Sequence, residues 1–213
     1  MTSTATSLQQ AWWLKTLHQW HWITAGISLV GLLLFSITGI TLNHAGAIEA
    51  SPRVATEERL LPEAMAQSLA TLASAAEEAE SPPAMPEEVR RWIADEFSVD
   101  VRGREIEWAA DEVYVALPRP GGDAWLRIAL PDGKAEHEVT TRGVISYLND
   151  LHKGRHAGIA WSWFIDIFAA ACLLFAITGL LILKLHAANR PLTWPLVAAG
   201  LTLPLLIALF TIH

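Results

Sequence analysis

The chain has a single cysteine, Cys172, and long stretches with no charged residue at all. One cysteine excludes an intramolecular disulfide and a thiolate metal centre, and inside an apolar run it reads as a packed thiol. No glycine-rich phosphate loop, no nucleophile signature and no motif of paired carboxylates occurs, so nothing points to nucleotide-dependent or hydrolytic catalysis, and no catalytic residue is assigned. Charge is missing from Thr16 to Ile48 and from Pro191 to His213, and Asp166 is the only charge between Ala157 and Leu183.

Each of these runs can cross a hydrocarbon core of about 30 Å at about 1.5 Å per residue. Three transmembrane helices are therefore expected, at residues 18–44, 158–185 and 194–213. Seven of the ten tryptophans (Trp12, Trp13, Trp20, Trp22, Trp161, Trp163, Trp194) fall at the expected water boundaries, the usual place for amphipathic rings. Ala45-Gly46-Ala47 offers a rival reading as a signal-peptide cleavage site, but the apolar run before it is too long for such a peptide. Lys15, Lys184 and Arg190 on one side balance Arg53, Lys153 and Arg155 on the other, so basic residues do not set the orientation. By default, residues 1–17 and the loop 186–193 are placed in the cytoplasm and residues 45–157 outside.

That middle segment carries 21 of the 22 acidic residues and 12 of the 15 basic ones, so its balance of 12 − 21 is −9. Such a balance argues against nucleic acid or an anionic lipid surface as its partner. Residues 55–80, with Leu60, Leu61, Met65, Leu69 and Leu72, are expected to form an amphipathic helix stopped by Ser81-Pro82-Pro83. Pro86 to Phe97 reads as a second helix with Val89, Trp92, Ile93 and Phe97 on one stripe. Alternation at Ile106 and Trp108, at Val113, Val115 and Leu117, and at Trp125, Arg127 and Ala129 then predicts a small antiparallel sheet. Its turns lie at Pro120-Gly121-Gly122-Asp123 and Pro131-Asp132-Gly133, and a last helix from about Arg142 to Leu151 leads into the second span. The expected fold class is a mostly α membrane protein: three transmembrane helices with a small α+β domain between the first two.

Seven of the eight histidines (His18, His21, His44, His152, His156, His186, His213) sit near the ends of the spans, and only His137 lies elsewhere. The first two spans also share a repeat. Leu33-Leu34-Phe35-Ser36-Ile37-Thr38-Gly39 matches Leu173-Leu174-Phe175-Ala176-Ile177-Thr178-Gly179, which in oppositely directed helices implies pseudo-two-fold symmetry. Antiparallel pairing then groups His44 with His152 or His156 at the outer face, and His186 with His18 or His21 at the inner face. Zinc and copper sites usually take three or four protein ligands, whereas two opposed imidazoles suit b-type haem. His21 and His44 are 23 residues, or about 35 Å of helix, apart, so two haems b in series are expected. Gly179, seven residues before His186, would leave a gap beside that ligand. Asp166 reads as a water-accessible residue near the interface, beside Trp163 and Arg155, the alternative being a proton relay or polar contact at the outer cofactor. Pro204 reads as a kink in the third span.

The stretches His18-Gln19-Trp20-His21-Trp22, Leu32 to His44, Tyr147 to Arg155 and Trp161 to Asp166 resemble the PepSY-associated transmembrane helix family, and the domain between the first two spans is similar to a PepSY module. The resemblance implies a bacterial inner-membrane protein with residues 45–157 in the periplasm. Larger relatives are regarded as haem-containing reductases of ferric siderophores, or as electron carriers serving periplasmic flavin or metal chemistry. Carried over residue by residue, His18 or His21, His44, His152 and His186 match the family's histidines, while His156 and His213 do not. Larger relatives commonly have four or more spans, so enclosing two haems here calls for a homodimer or a partner membrane subunit. The expected function is a transmembrane b-type cytochrome passing electrons to a periplasmic acceptor or metal-siderophore complex. The alternative is a non-haem, membrane-anchored PepSY-module protein that binds or regulates a periplasmic partner; a divalent-metal permease is disfavoured by spans with one acidic residue.

Overall fold

The structure is a computed structural model that describes residues 2–49, 51–76 and 81–212. It divides into two compact units, Met1–Phe35 with Trp163–His213, and Ser36–Ser162. Among the described residues, three stretches are long and apolar enough to cross a membrane: Ala11–Asn43, Ile159–His186 and Thr193–Thr211, with mean hydropathies of 2.1, 2.4 and 1.9 over a window of 18 residues in each.

In the first unit, the part of helix α1 (Thr2–Asn43) up to Phe35 lies antiparallel to helix α5 (Ile159–His186). The direction follows from the contacts, because His18 meets His186, His21 meets Phe175 and Phe35 stacks on Phe168. Close approach depends on small residues, as between helices in lipid generally. A Cβ on Gly31 would overlap one edge of the Phe168 ring. The buried hydroxyls of Thr24, Ser28 and Thr178 bond back to carbonyls of their own helices, so each polar group is satisfied without a break in the helix. After a 3-10 turn (Ala187–Asn189), helix α6 (Thr193–Thr211) runs on through Pro204, and nearly all its side chains are exposed.

The second unit contains a five-stranded antiparallel sheet in the order β1-β5-β4-β3-β2, built from Arg53–Leu60 (β1), Ile106–Trp108 (β2), Glu112–Ala116 (β3), Gly122–Ala129 (β4) and Lys134–Thr141 (β5). Helices α2 (Glu63–Ala76) and α3 (Glu87–Phe97) pack on one face. Leu69 and Ala73 of α2, and Val89, Ile93 and Phe97 of α3, close over Val113, Val115, Leu126, Ile128 and Ala135 of the sheet. Helix α4 (Val144–Lys153) follows β5 and ends at Gly154, whose φ of 67° stops it in the left-handed conformation.

The order of elements differs from the expected one. Residues 53–60 are a strand, not the first turns of a helix, and α2 starts only after Pro62; residues 77–80 of the expected helix lie outside the described residues. The reason is visible in β1, which is exposed along all eight residues and is held by its ladder with β5 and by Arg59, whose guanidinium meets Glu96 and Phe97 of α3, so no apolar stripe announced it. Trp125, Arg127 and Ala129 form the outer row of β4; Ala124, Leu126 and Ile128 point inward. The segment expected from Arg142 to Leu151 is helical from Val144 to Lys153, and α3 matches its expected stripe, with Val89, Ile93 and Phe97 buried.

Candidate functional site

Nδ1 of His18 lies 2.8 Å from the Leu14 carbonyl, Nδ1 of His44 3.0 Å from Ile40, and Nδ1 of His186 2.9 Å from Ile182. In each case the acceptor stands four residues back on the same helix. A carbonyl oxygen can only accept, so each Nδ1 carries the hydrogen and the neutral ring keeps its lone pair on Nε2. Hydrogen bonds of this kind, made by the ring nitrogen that does not bind the metal, orient histidine ligands in metal centres.

His18 and His186 are brought together. Their ring centroids stand 6.5 Å apart with planes at 84°, and both rings are exposed. A metal–imidazole bond is about 2 Å long, so the centroids of two axial imidazoles on one ion stand about 6 Å apart. The 6.5 Å between the two centroids is close to that separation.

His21 takes a different position. Its Nδ1 lies 2.9 Å from Thr178 Oγ1, and its ring stacks on Phe175 at 4.8 Å. The Thr178 hydroxyl spends its single hydrogen on the Leu174 or Phe175 carbonyl, at 2.8 and 3.0 Å, so it accepts from His21 Nδ1–H. His21 also fills the space that Gly179 leaves: a Cβ there would lie 3.3 Å from His21 Cε1. The gap expected beside His186 is thus occupied by another histidine.

The same local arrangement recurs in the second unit. Nδ1 of His152 lies 2.7 Å from Thr38 Oγ1, and a Cβ on Gly39 would lie 3.6 Å from His152 Cε1. One helical turn along, Thr41 Oγ1 donates to Asn149 Oδ1 at 2.7 Å. Each Thr-Gly pair of the sequence repeat is therefore a seat for one imidazole. The repeat was readable; its role was not, because the partner lies 114 residues away in one case and 157 in the other.

His44 does not copy His186. It follows its threonine by six residues where His186 follows by eight, which at about 100° per residue places it about 120° around α1 from Thr38. His156 sits in the left-handed conformation (φ 55°) between α4 and α5, and His213 lies outside the described residues. Among the described residues, no three histidine, cysteine or acidic side chains converge as a metal site. What they offer is the two-imidazole pair.

A profile of the family described as PepSY_TM-like matches residues 12–213, which takes in all three apolar helices and the sheet domain. The chain belongs to the PepSY_TM-like family. In comparisons with curated proteins and with solved structures, nothing matches. Within this PepSY_TM-like chain, Arg155 lies 4.0 Å from Asp150, and Asp166 is exposed on α5, about two turns from its start. His137, the histidine away from the span ends, is buried on β5 against Phe97. Desolvation pushes its pKa below the ordinary imidazole value, the Glu57 carboxylate partly opposing and Arg119 adding to the shift.

Proposed function

We propose that this PepSY_TM-like membrane protein is a b-type cytochrome that passes electrons across the bacterial inner membrane to a periplasmic acceptor of the metal or metal-siderophore class. The observation that carries the reading is the His18–His186 pair, 6.5 Å between ring centroids, each ring fixed by a backbone carbonyl with Nε2 left as ligand. Bound there, haem b supplies a one-electron couple. The carbonyls of Leu14 and Ile182 hold the two imidazoles in the neutral, ligating tautomer, and His21 packs beside them against Thr178 and Phe175. His44 and His152 are the ligand candidates for a second haem; Thr38 orients His152, while His44 stands about 120° around α1 from that threonine. Because His18 and His186 are exposed in the single chain, a second copy or a partner subunit covers their open flank.

The test is a spectrum of the protein purified after expression with ample haem. Sharp bands on dithionite reduction are expected, with haem content cut by His18→Ala and by His186→Ala and largely retained in His137→Ala. A reduced sample with no haem bands would sink the reading. Haem retained in both His18→Ala and His186→Ala would remove this pair as its seat.

A further inference from the structure

Helix α4 is an amphipathic helix turned inside out. Its apolar residues recur at Val144, Tyr147, Leu148 and Leu151, the spacing of a buried stripe. Yet Val144 is 73% exposed, Ile145 44%, Tyr147 45% and Leu148 42%, while the polar Asn149 and Asp150 are buried at 7% and 8%. The buried polar groups are fully engaged: Asp150 Oδ2 accepts the Gly121 N–H at 2.9 Å and Asn149 Oδ1 accepts from Thr41 Oγ1 at 2.7 Å. The polar side thus faces the protein, and the apolar side is left for something else.

What covers it follows from where α4 is fastened. His152 and Asn149 bond to Thr38 and Thr41, in the last two turns of the apolar helix α1. At the other end, the indole Nε1 of Trp161, on the first turn of α5, donates to the Leu151 carbonyl at 2.8 Å. Both neighbours are the ends of helices apolar enough to span a bilayer, and a tryptophan at such an end belongs at the headgroup level. Arg142, Lys153 and Arg155 flank the helix and line, with Asn149, Asp150 and Glu49, an open cleft of about 450 Å³, in which Arg155 lies 4.0 Å from Asp150. The segment as a whole is acidic, but locally the basic residues Arg142 and Lys153 stand beside an exposed apolar stripe, the pattern of a helix lying in the interface plane.

We infer that α4 lies flat in the outer headgroup region with Val144, Tyr147 and Leu148 in the acyl boundary, and that its partner is the lipid surface. The helix then sets the depth of His152, and with it the level at which that imidazole meets Thr38. This inference rests on the membrane-spanning part of the proposed function and is independent of haem.

The experiment uses the full chain with Cys172→Ala, reconstituted in vesicles containing phosphatidylglycerol and carrying one nitroxide label at a time. Labels at Val144→Cys and Leu148→Cys are compared with Leu33→Cys in α1 and Thr71→Cys in α2. Collisions with oxygen exceeding those with a water-soluble nickel chelate are expected at 144 and 148, as at 33, with the reverse at 71. If 33 reads as lipid but 144 and 148 match 71, the face is aqueous and the inference is overturned. Labels at 144 and 148 that meet neither reagent would show a protein cover, a second copy or a partner, and overturn it equally. A label at 33 that behaves like the one at 71 would instead remove the spanning reading itself.

Discussion

Thr178 Oγ1 accepts a hydrogen bond from His21 Nδ1 at 2.9 Å, and the neighbouring Gly179 provides the space in which that imidazole rests. The bond ties α1 to α5 at a half-buried position where water does not easily replace it. Threonine also satisfies itself through the Leu174 and Phe175 carbonyls, so the residue is both anchored and anchoring.

Thr178→Val keeps the shape and removes the acceptor. An unsatisfied buried donor costs about 1–3 kcal/mol, and unfolding of the detergent-solubilised protein should show a loss of that order. Thr178→Ser should recover most of it. Equal stability of the valine and serine variants would show that the bond contributes nothing.

Gly31→Ala is expected to damage the first unit more than Gly179→Ala. The added carbon would overlap the Phe168 ring in the first case, whereas in the second it stands 3.3 Å from the edge of an imidazole that can shift by a few tenths of an ångström. Overpacking of a fixed ring costs about 1–3 kcal/mol. Thermal unfolding of the two variants side by side should rank them in that order.

His137 should make the sheet domain sensitive to mild acid. Its folded pKa is depressed below 6.5, so above that value neither the folded nor the unfolded imidazole binds a proton and nothing is lost. As pH falls through 6.5, the unfolded chain takes up a proton that the folded chain refuses, and stability declines until the lower folded pKa is reached. His137→Leu removes this contribution, so the difference in stability between wild type and variant should change with pH below 6.5 and be flat above it. A difference independent of pH would contradict the desolvated histidine.

Gly121→Ala should loosen the grip of α4 on the sheet. Gly121 has φ of 75°, and a Cβ there would stand 2.7 Å from the Cβ of Tyr147, so both the backbone and the neighbour resist. Strain of this type costs about 1–3 kcal/mol. Hydrogen exchange should quicken in residues 119–123 and 144–153 of the variant and leave α3 unchanged.

The spans were legible because a charge inside a bilayer is costly, and uncharged apolar runs of twenty or so residues are long enough to cross one. The helix α3 was legible because Val89, Ile93 and Phe97 recur at helical spacing and are buried. Strand β1 was hidden because it joins the sheet through its backbone ladder with β5, and its exposed side chains form no apolar stripe. The inward row of β4 was masked by Trp125, the largest side chain there, which lies outside while Ala124, Leu126 and Ile128 line the core. At the site, clustering of histidines near span ends could be read directly. The division of labour among them could not, since the bonds of His21 to Thr178 and of His152 to Thr38 are made between residues far apart in the chain.

His186 stands eight residues beyond its seat threonine and His44 six, and two residues of helix turn a side chain through about 200°. The repeat that carries the seats is thus followed by terminal histidines that face different ways around their own helices. Turning the protein over in the membrane would not reproduce it, because the imidazole that closes one repeat does not stand where the other's does. Under the proposed function, the two ends of such a chain are chemically unlike, and the unlikeness comes from a difference of two residues in spacing.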